Sequence, residues 1–468
     1  MTVSFPEGYI VSPHVKTIDE ALDYLYSFIN YETDAAYAYG AVHYNVERTS
    51  RLLELLGSPQ NGVSVIHVAG TKGKGSVCTM LCVLLAAQGH CTGLFTSPHV
   101  DRVNERVVCG GREIEDDELI ELMNLFPPLI DRFPKDNVPT TFEILTALAM
   151  EHYRRRGARY VVLETGMGGR FDSTNFCDPL VSVITSISYD HTDKLGETIE
   201  QIAFEKAGII KRGRPAVLGY QRYDVLHVFE KKAAETASPL YLVADRCGYV
   251  ARELTWRGCL FDAVVDGVSL RDLFVPLPGR HQIENALASM LGLKVAGLLP
   301  EDGVIRSALA EVRVPARLEL FEVDREGGRR RVLLDSAHNE DSARALVRAV
   351  GEAYRYERLF VVVGIVKGKD VRGILENIAR VSDALIVTEP LTHKELDTEH
   401  VLRVARELFP RTLFIGRLDE ALEHAIRSST AADLVLVTGS FYATSPARSA
   451  LRLMGAASRQ GGGESRLI

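Results

Sequence analysis

The chain is poor in the features that mark several common protein classes. Among 468 residues there are only 7 cysteines, and Cys78, Cys82, Cys91, Cys109, Cys177, Cys247 and Cys259 include no Cys-x-x-Cys pair. An odd, scattered set argues against a disulfide framework or a zinc cluster and for reduced thiols in a cytoplasmic protein. Long apolar runs are missing as well. The stretch 77–87 is interrupted by polar residues well short of the roughly 18 positions that span a bilayer, so no membrane partner is expected. The opening MTVSFPEGYI has no charged region followed by an apolar stretch, and no signal peptide is expected. Positive charge is not in surplus: 54 Lys plus Arg against 62 Asp plus Glu leave a net charge of −8. That balance implies neither a nucleic-acid nor an anionic-membrane surface. Repeats are absent, and the only low-complexity segment is the Gly461-Gly462-Gly463 tail.

What is present fits a multidomain α/β protein. The composition, 46% hydrophobic and 25% charged, is that of a soluble globular chain, and 468 residues exceed one ordinary core. Apolar runs at 64–69, 160–164 and 180–187 alternate with amphipathic stretches at 76–88, 142–155 and 199–207. This is the rhythm of a mainly parallel sheet covered by helices. A second series of strand-like runs, at 331–335, 359–364, 384–388, 412–415 and 434–438, predicts a smaller Rossmann-like domain. The expected division is an ATPase-type domain over 1–300, a linker over 301–316, a second domain over 317–456 and a flexible tail over 457–468. The irregular region 221–276 is expected to be a β-rich elaboration of the first domain.

The sharpest local signal is the loop Gly70-Thr71-Lys72-Gly73-Lys74-Gly75-Ser76 between a buried strand and an apolar helix. Glycines let backbone N–H groups turn inward around phosphate oxygens, the helix N-terminus adds positive potential, and Lys74 supplies a mobile charge. Ser76 can meet a phosphate or its Mg²⁺. An extra glycine separates Lys74 from Ser76, so the loop is a variant of the ordinary phosphate-binding pattern.

Other residues have two readings. Glu164 and Asp190-His191 each end a strand, where α/β sheets place ligand sites, and could hold Mg²⁺ with phosphate and water oxygens. His191 is equally well read as a strand-end hydrogen-bonding residue. Lys206, near a helix end, reads blandly as a surface lysine. Asn285, Arg317 and Asp335 straddle the expected linker and suit adenine, phosphate and ribose respectively, or ordinary surface polarity.

The loop GTKGKGS is followed by Thr96-Ser97-Pro98-His99, Asn104-Glu105-Arg106, Phe142-Glu143, Glu164-Thr165-Gly166-Met167-Gly168-Gly169 and Asp172-Ser173-Thr174-Asn175. Then come Asp190-His191-Thr192, Glu205-Lys206-Ala207-Gly208, His281-Gln282, Pro315-Ala316-Arg317-Leu318-Glu319, Asp335-Ser336-Ala337-His338-Asn339 and Gly439-Ser440-Phe441-Tyr442. In that order the blocks resemble the folylpolyglutamate synthase and dihydrofolate synthase branch of the Mur ligase superfamily.

The resemblance implies ATP-dependent ligation of L-glutamate to a folate or pteroate carboxylate through an acyl phosphate. It implies ATP contacts from the loop 70–76, Asn285, Arg317 and Asp335. One Mg²⁺ would be held through Ser97 and Glu164, and a second through His191 and a carbamylated Lys206. The glutamate pocket would comprise His338, Ser440 and Tyr442, with Lys74, Lys206 and His338 as the catalytic groups. Members of the branch are usually monomers with small-molecule partners only. Lys72, where many bacterial members have Asn, leans toward tail extension, with dihydrofolate synthase activity alone as the alternative. Thr165 and Ser336 replace the more usual Val and Gly. A cell-wall Mur ligase would need a UDP-binding domain, for which the 63 residues before the loop strand are too few. Intact Lys74, Glu164, His191 and Lys206 argue against a silent P-loop binding protein. The run Lys367-Gly368-Lys369-Asp370 also matches the family but has no role legible in the sequence.

Overall fold

A computed structural model describes residues 14–31, 40, 44–392 and 395–459. The first sheet contains β1 (Ser64–Ala69), β2 (Thr92–Phe95), β3 (Val107–Cys109), β4 (Arg112–Glu113), β5 (Tyr160–Glu164), β6 (Val181–Ile184), β7 (Ala216–Leu218) and β8 (Leu240–Leu242). Their order is β4-β3-β2-β5-β1-β6-β7-β8. The six strands from β2 to β8 run parallel, and β3 and β4 extend one edge antiparallel. Because β1 lies between β5 and β6, the loops leaving all three open onto one crevice at their carboxyl ends.

The helix Lys74–Ala86 that leaves the glycine loop is buried at every position from Ser76 to Leu85. It is apolar all round because it is covered on all sides, by the sheet and by the helix Arg280–Val295. This clamps the loop's helix N-terminus in place from both directions.

A separate antiparallel sheet of β9 (Cys247–Thr255), β10 (Gly258–Val265) and β11 (Val268–Val275) follows, as expected for a β-rich elaboration. The same region also holds a helix, Leu226–Thr236, whose apolar face is only Phe229 and Ala233 deep and is correspondingly faint in the sequence.

The second domain contains β12 (Glu319–Arg325), β13 (Gly328–Leu334), β14 (Leu359–Val363), β15 (Ala384–Val387), β16 (Leu413–Phe414), β17 (Leu434–Thr438) and β18 (Ala457–Ser458), in the order β16-β15-β14-β17-β13-β12-β18. The five strands from β16 to β13 are parallel; β12 and β18 are antiparallel additions.

Two expected boundaries need correction. The segment 301–316 is not an open linker: it holds the helix Asp302–Ala310, and Ile305, Ala308, Leu309 and Val312 are buried in the first domain's core. Prolines and glycines around it mark its ends rather than a hinge. The tail begins as structure, since Ala457 and Ser458 pair with Glu322 and Phe321 of β12; residues 460–468 lie outside those described. Among the described residues no helix is long and apolar enough to cross a membrane.

Candidate active site between the two domains

The loop after β1 is shaped by its contacts with the loop after β6. Gly70 has φ +147°, and a Cβ there would fall inside the Thr185 hydroxyl. Thr71 donates its backbone N–H to the Ser186 carbonyl at 2.9 Å, and its hydroxyl exchanges hydrogen bonds with the Ser188 backbone at 3.1 Å. Gly73, at φ +85°, caps the helix, and a Cβ there would lie 2.5 Å from Asn285 Oδ1. Glycine is required at both positions by close approach as well as by backbone conformation.

Two charged centres flank this loop. At the first, the Lys74 ammonium lies 3.9 Å from Oε1 of Glu164, the last residue of β5, and Glu164 Oε2 accepts the Ser97 N–H at 3.1 Å. Burial raises the Glu164 carboxyl above its ordinary range, against the pull of Lys74.

The second centre is Asp190. Its Oδ2 accepts from Lys72 Nζ at 2.9 Å, with His338 Nε2 3.2 Å away, and its Oδ1 accepts from Lys369 Nζ at 2.6 Å. Lys72 Nζ also reaches His338 Nε2 at 2.7 Å. His338 Nδ1 lies 2.8 Å from the Ser336 carbonyl, which can only accept. The imidazole proton therefore sits on Nδ1 and Nε2 presents its lone pair. Burial and the neighbouring Lys72 push His338 down to about 4, so it is neutral at physiological pH. Burial pushes Lys72 down to about 8, against the pull of Asp190. Burial works against ionised Asp190, but the neighbouring Lys72 ammonium outweighs it and holds the carboxyl well below the usual range.

Lys206 is not on the surface. It is 4% exposed, and its Nζ donates to the Gly70 carbonyl at 2.9 Å, under the glycine loop. Burial first, then the nearby Lys74 ammonium, push it down to about 7. His191 stands at the turn after β6 with φ +50°, half-exposed beside Asp190.

From the second domain, Arg317 sits in a turn whose two neighbours, Ala316 and Leu318, have φ of +53° and +48°. Its guanidinium lies 5.0 Å from the centre of the Phe441 ring. Asp335, at the end of β13, is buried and accepts the Leu318 and Ala337 N–H groups at 3.1 and 3.0 Å. Such a turn, carrying non-glycine residues in a sparsely populated conformation, persists only where surrounding contacts over-determine it.

These features match known proteins along nearly the whole chain. Residues 68–293 match the Mur ligase middle domain and residues 316–441 the Mur ligase glutamate ligase domain. The dihydrofolate synthase/folylpolyglutamate synthase of Bacillus subtilis is 31% identical over 443 residues, 91% of this chain and 100% of the relative. The chain belongs to the folylpolyglutamate synthase/dihydrofolate synthase family. Its members are ATP-dependent ligases of folate. Among solved structures, Mycobacterium tuberculosis folylpolyglutamate synthase complexed with ADP superposes with a TM-score of 0.84 at 29% identity, covering 94% of this chain and 99% of that one. Escherichia coli FolC in complex with DHPP and ADP gives 0.79 at 27%, covering 94% and 99%.

Within this family member, the structure brings Lys72, Lys74, Ser97, Glu164, His191, Lys206, Asn285 and His338 around one crevice, with Arg317 and Asp335 on the facing side of the second domain. Ser440 is engaged differently from expectation. Its hydroxyl donates to the Gly364 carbonyl at 2.8 Å and accepts the Ala443 N–H at 3.1 Å, capping the helix Phe441–Leu453. It has no proton left for a carboxylate. Tyr442, half-buried one residue into that helix, accepts the Leu391 N–H through its backbone carbonyl at 3.1 Å.

Sequence reasoning missed Lys369, the residue of the unassigned Lys367–Asp370 run that reaches Asp190 across the domain boundary. Glu143, which follows Phe142 in one of the blocks that carry the resemblance, is a structural group. It accepts the Thr140 N–H at the helix start and pairs with Arg48 at 2.8 Å, both side chains buried. The aromatic cleft beside it, lined by Tyr31, Tyr44, Phe142, Met167, Phe171 and Asp172, was equally invisible, because its walls come from four separated segments.

Proposed function

We propose that this chain adds L-glutamate to the carboxylate of a folate or pteroate at the cost of ATP, as a folylpolyglutamate synthase that also accepts dihydropteroate. The observation that supports this most is the Asp190 centre, where Lys72 of the phosphate-type loop hydrogen-bonds Asp190 as well as His338 of the other domain, and Lys369 of that domain hydrogen-bonds the same Asp190. A reaction that joins two anions on a phosphorylated intermediate needs cations from both sides at one point.

In this reading the loop N–H groups and Lys74 hold the outer phosphates, while Asn285, Arg317 and Asp335 hold the rest of the nucleotide. The acceptor carboxylate oxygen attacks the γ-phosphorus and the bond to ADP breaks. The glutamate amine then attacks the acyl carbon, and the C–O bond to phosphate breaks as the amide forms and the amine gives up its proton. Lys369 and the N-terminal turn of the helix Phe441–Leu453 would bind the glutamate carboxylates. His338, neutral and with its Nε2 lone pair inward, would orient the amine. Ser440 serves this pocket by fixing the helix start, and Tyr442 by lining it.

The residues suit Mg²⁺. Glu164 is a buried carboxylate beside the half-buried Ser97, and oxygen donors are what a hard cation takes. Among the described residues no three His, Cys, Asp or Glu side chains cluster as a cage, which fits ions that complete their coordination with phosphate and water. Glu164 with Ser97 would hold one ion, and His191 with Lys206 a second. Bound there, the ions would neutralise charge on the transferred phosphoryl group. For Lys206 to take part it must become an anion. Its neutral amine attacks CO₂, a C–N bond forms and a proton leaves, giving a carbamate. Burial under the loop favours the amine that this step requires.

The aromatic cleft at Phe142 suits a flat bicyclic ring, and E. coli FolC binds DHPP. We place the acceptor ring there. All seven cysteines are free thiols, which suits a cytoplasmic enzyme, and the chain would act as a monomer. Purified protein with ATP, Mg²⁺ and labelled glutamate should glutamylate both tetrahydrofolate and dihydropteroate. Label in dihydropteroate only would make it a dihydrofolate synthase. Label in neither would reject the reading.

A further inference from the structure

Arg448 lies two turns into the helix Phe441–Leu453, away from the Asp190 centre, with its side chain 10% exposed. A guanidinium so deep in the protein must be paired, and its partners come from both domains. Nε donates to Glu319 Oε2 at 2.9 Å, and Nη1 donates to Asp101 Oδ2. Arg452, one turn on and exposed, adds a bond to the same Asp101 oxygen at 2.8 Å.

Each end of this bridge leads to a part of the proposed ATP site. Glu319 is 2% exposed and its Oε2 also accepts the Ala316 N–H at 2.9 Å. That bond holds one of the two left-handed residues beside Arg317, and Phe441, the first residue of the helix carrying Arg448, lies under the Arg317 guanidinium. At the other end, Asp101 lies four residues beyond Ser97 in a turn whose N–H groups at 100, 101 and 102 are gathered by the Glu105 carboxylate. Asp101 Oδ1 is buried with no hydrogen-bond partner, so the two arginines carry the compensation of this carboxylate.

We infer that Arg448 is a positioning residue: through Asp101 and Glu319 it ties the Ser97 turn of the first domain to the Arg317 turn of the second, so that the two halves of the nucleotide site are set together. The inference rests on the assignment of Arg317 to ATP. It requires Asp101 to influence ATP through Arg317 and not by itself.

The test is Mg·ATP affinity by calorimetry, with thermal unfolding and steady-state kinetics alongside, for wild type, Asp101→Asn, Arg317→Ala and the double variant. Asp101→Asn leaves the Arg448–Glu319 pair within the second domain, so folding is little disturbed. It should weaken ATP binding about 5- to 20-fold, the scale of an ordinary coupling between sites. KM for ATP should rise by the same factor, and kcat at saturating ATP should change by less than about threefold. In the Arg317→Ala background Asp101→Asn should have no further effect, the signature of two residues acting as one unit. Arg448→Lys, which keeps the charge but not the two-sided fork, should fall with Asp101→Asn. A full and independent loss in both backgrounds, or no loss in the wild-type background, would overturn the relay alone. Unchanged affinity in Arg317→Ala would overturn the nucleotide assignment and the relay with it.

Discussion

Lys206 offers a prediction whose size follows from its burial. With a pKa of about 7, about half of the amine is neutral at pH 7, against about 1 in 3,000 for a lysine at its ordinary value. The gain in CO₂-reactive amine is therefore about a thousandfold. The same displacement has a stability consequence. The unfolded chain keeps this proton up to about 10.5 and the native state only to about 7, so the unfolded state binds more protons between those values. The resulting loss of stability grows as pH falls from about 10.5 to about 7 and is constant below, on the order of 5 kcal/mol at full extent. Lys206→Met removes a buried amine in favour of an apolar side chain of similar length. It should raise the unfolding temperature of the free enzyme by a few degrees while cutting ligation at least about 100-fold. Enzyme equilibrated with ¹³C-bicarbonate at pH 8 should show a carbamate resonance that Lys206→Met lacks and that fades as pH falls through 7. Lys206→Ala should regain activity with short-chain carboxylic acids. Absence of the resonance together with wild-type activity of Lys206→Ala in CO₂-free buffer would refute the argument.

Other expectations can be checked separately. ATP affinity should decline above about pH 8 as Lys72 loses its proton, and Lys72→Arg should flatten that decline in a calorimetric pH series. Gly70→Ala, which adds a methyl against Thr185 at φ +147°, should destabilise by about 2 kcal/mol or more and abolish ATP binding, read by melting curves and titration. Lys369→Met should raise KM for glutamate about 10- to 100-fold with ATP affinity changed by less than about threefold, because its charge faces Asp190 and not the phosphate loop.

Much of this architecture is legible in sequence because strands buried on both faces read as continuous apolar runs. That holds for β1, β5 and β17, found where expected. The antiparallel strand β12 was not expected, since three of its last four residues, Glu322, Asp324 and Arg325, are polar, and of those four only Val323 is buried. The helix Asp302–Ala310 was hidden by the turn residues at its ends. In the site, residues that act through local geometry, such as Gly70 and Gly73, can be read from spacing. Lys369, Asp101 and Arg448 cannot, because their partners lie 179, 347 and 129 positions away and pairing exists only once the two domains meet. Lys206 illustrates the reverse error. Its place near a helix end suggests a surface residue, and only the packing of that helix beneath the Gly70 carbonyl shows otherwise.

The central claim, that the loop and the second domain together make an acyl phosphate and pass it to glutamate, can be tested with one isotope experiment. Tetrahydrofolate labelled with ¹⁸O in its terminal carboxylate is incubated with enzyme, ATP, Mg²⁺ and glutamate, and the inorganic phosphate is analysed by mass. The account predicts one ¹⁸O transferred to phosphate for each glutamate added, with no transfer when ATP is omitted. Glutamate addition that leaves the phosphate unlabelled, or ATP turnover without any glutamate addition, would contradict it.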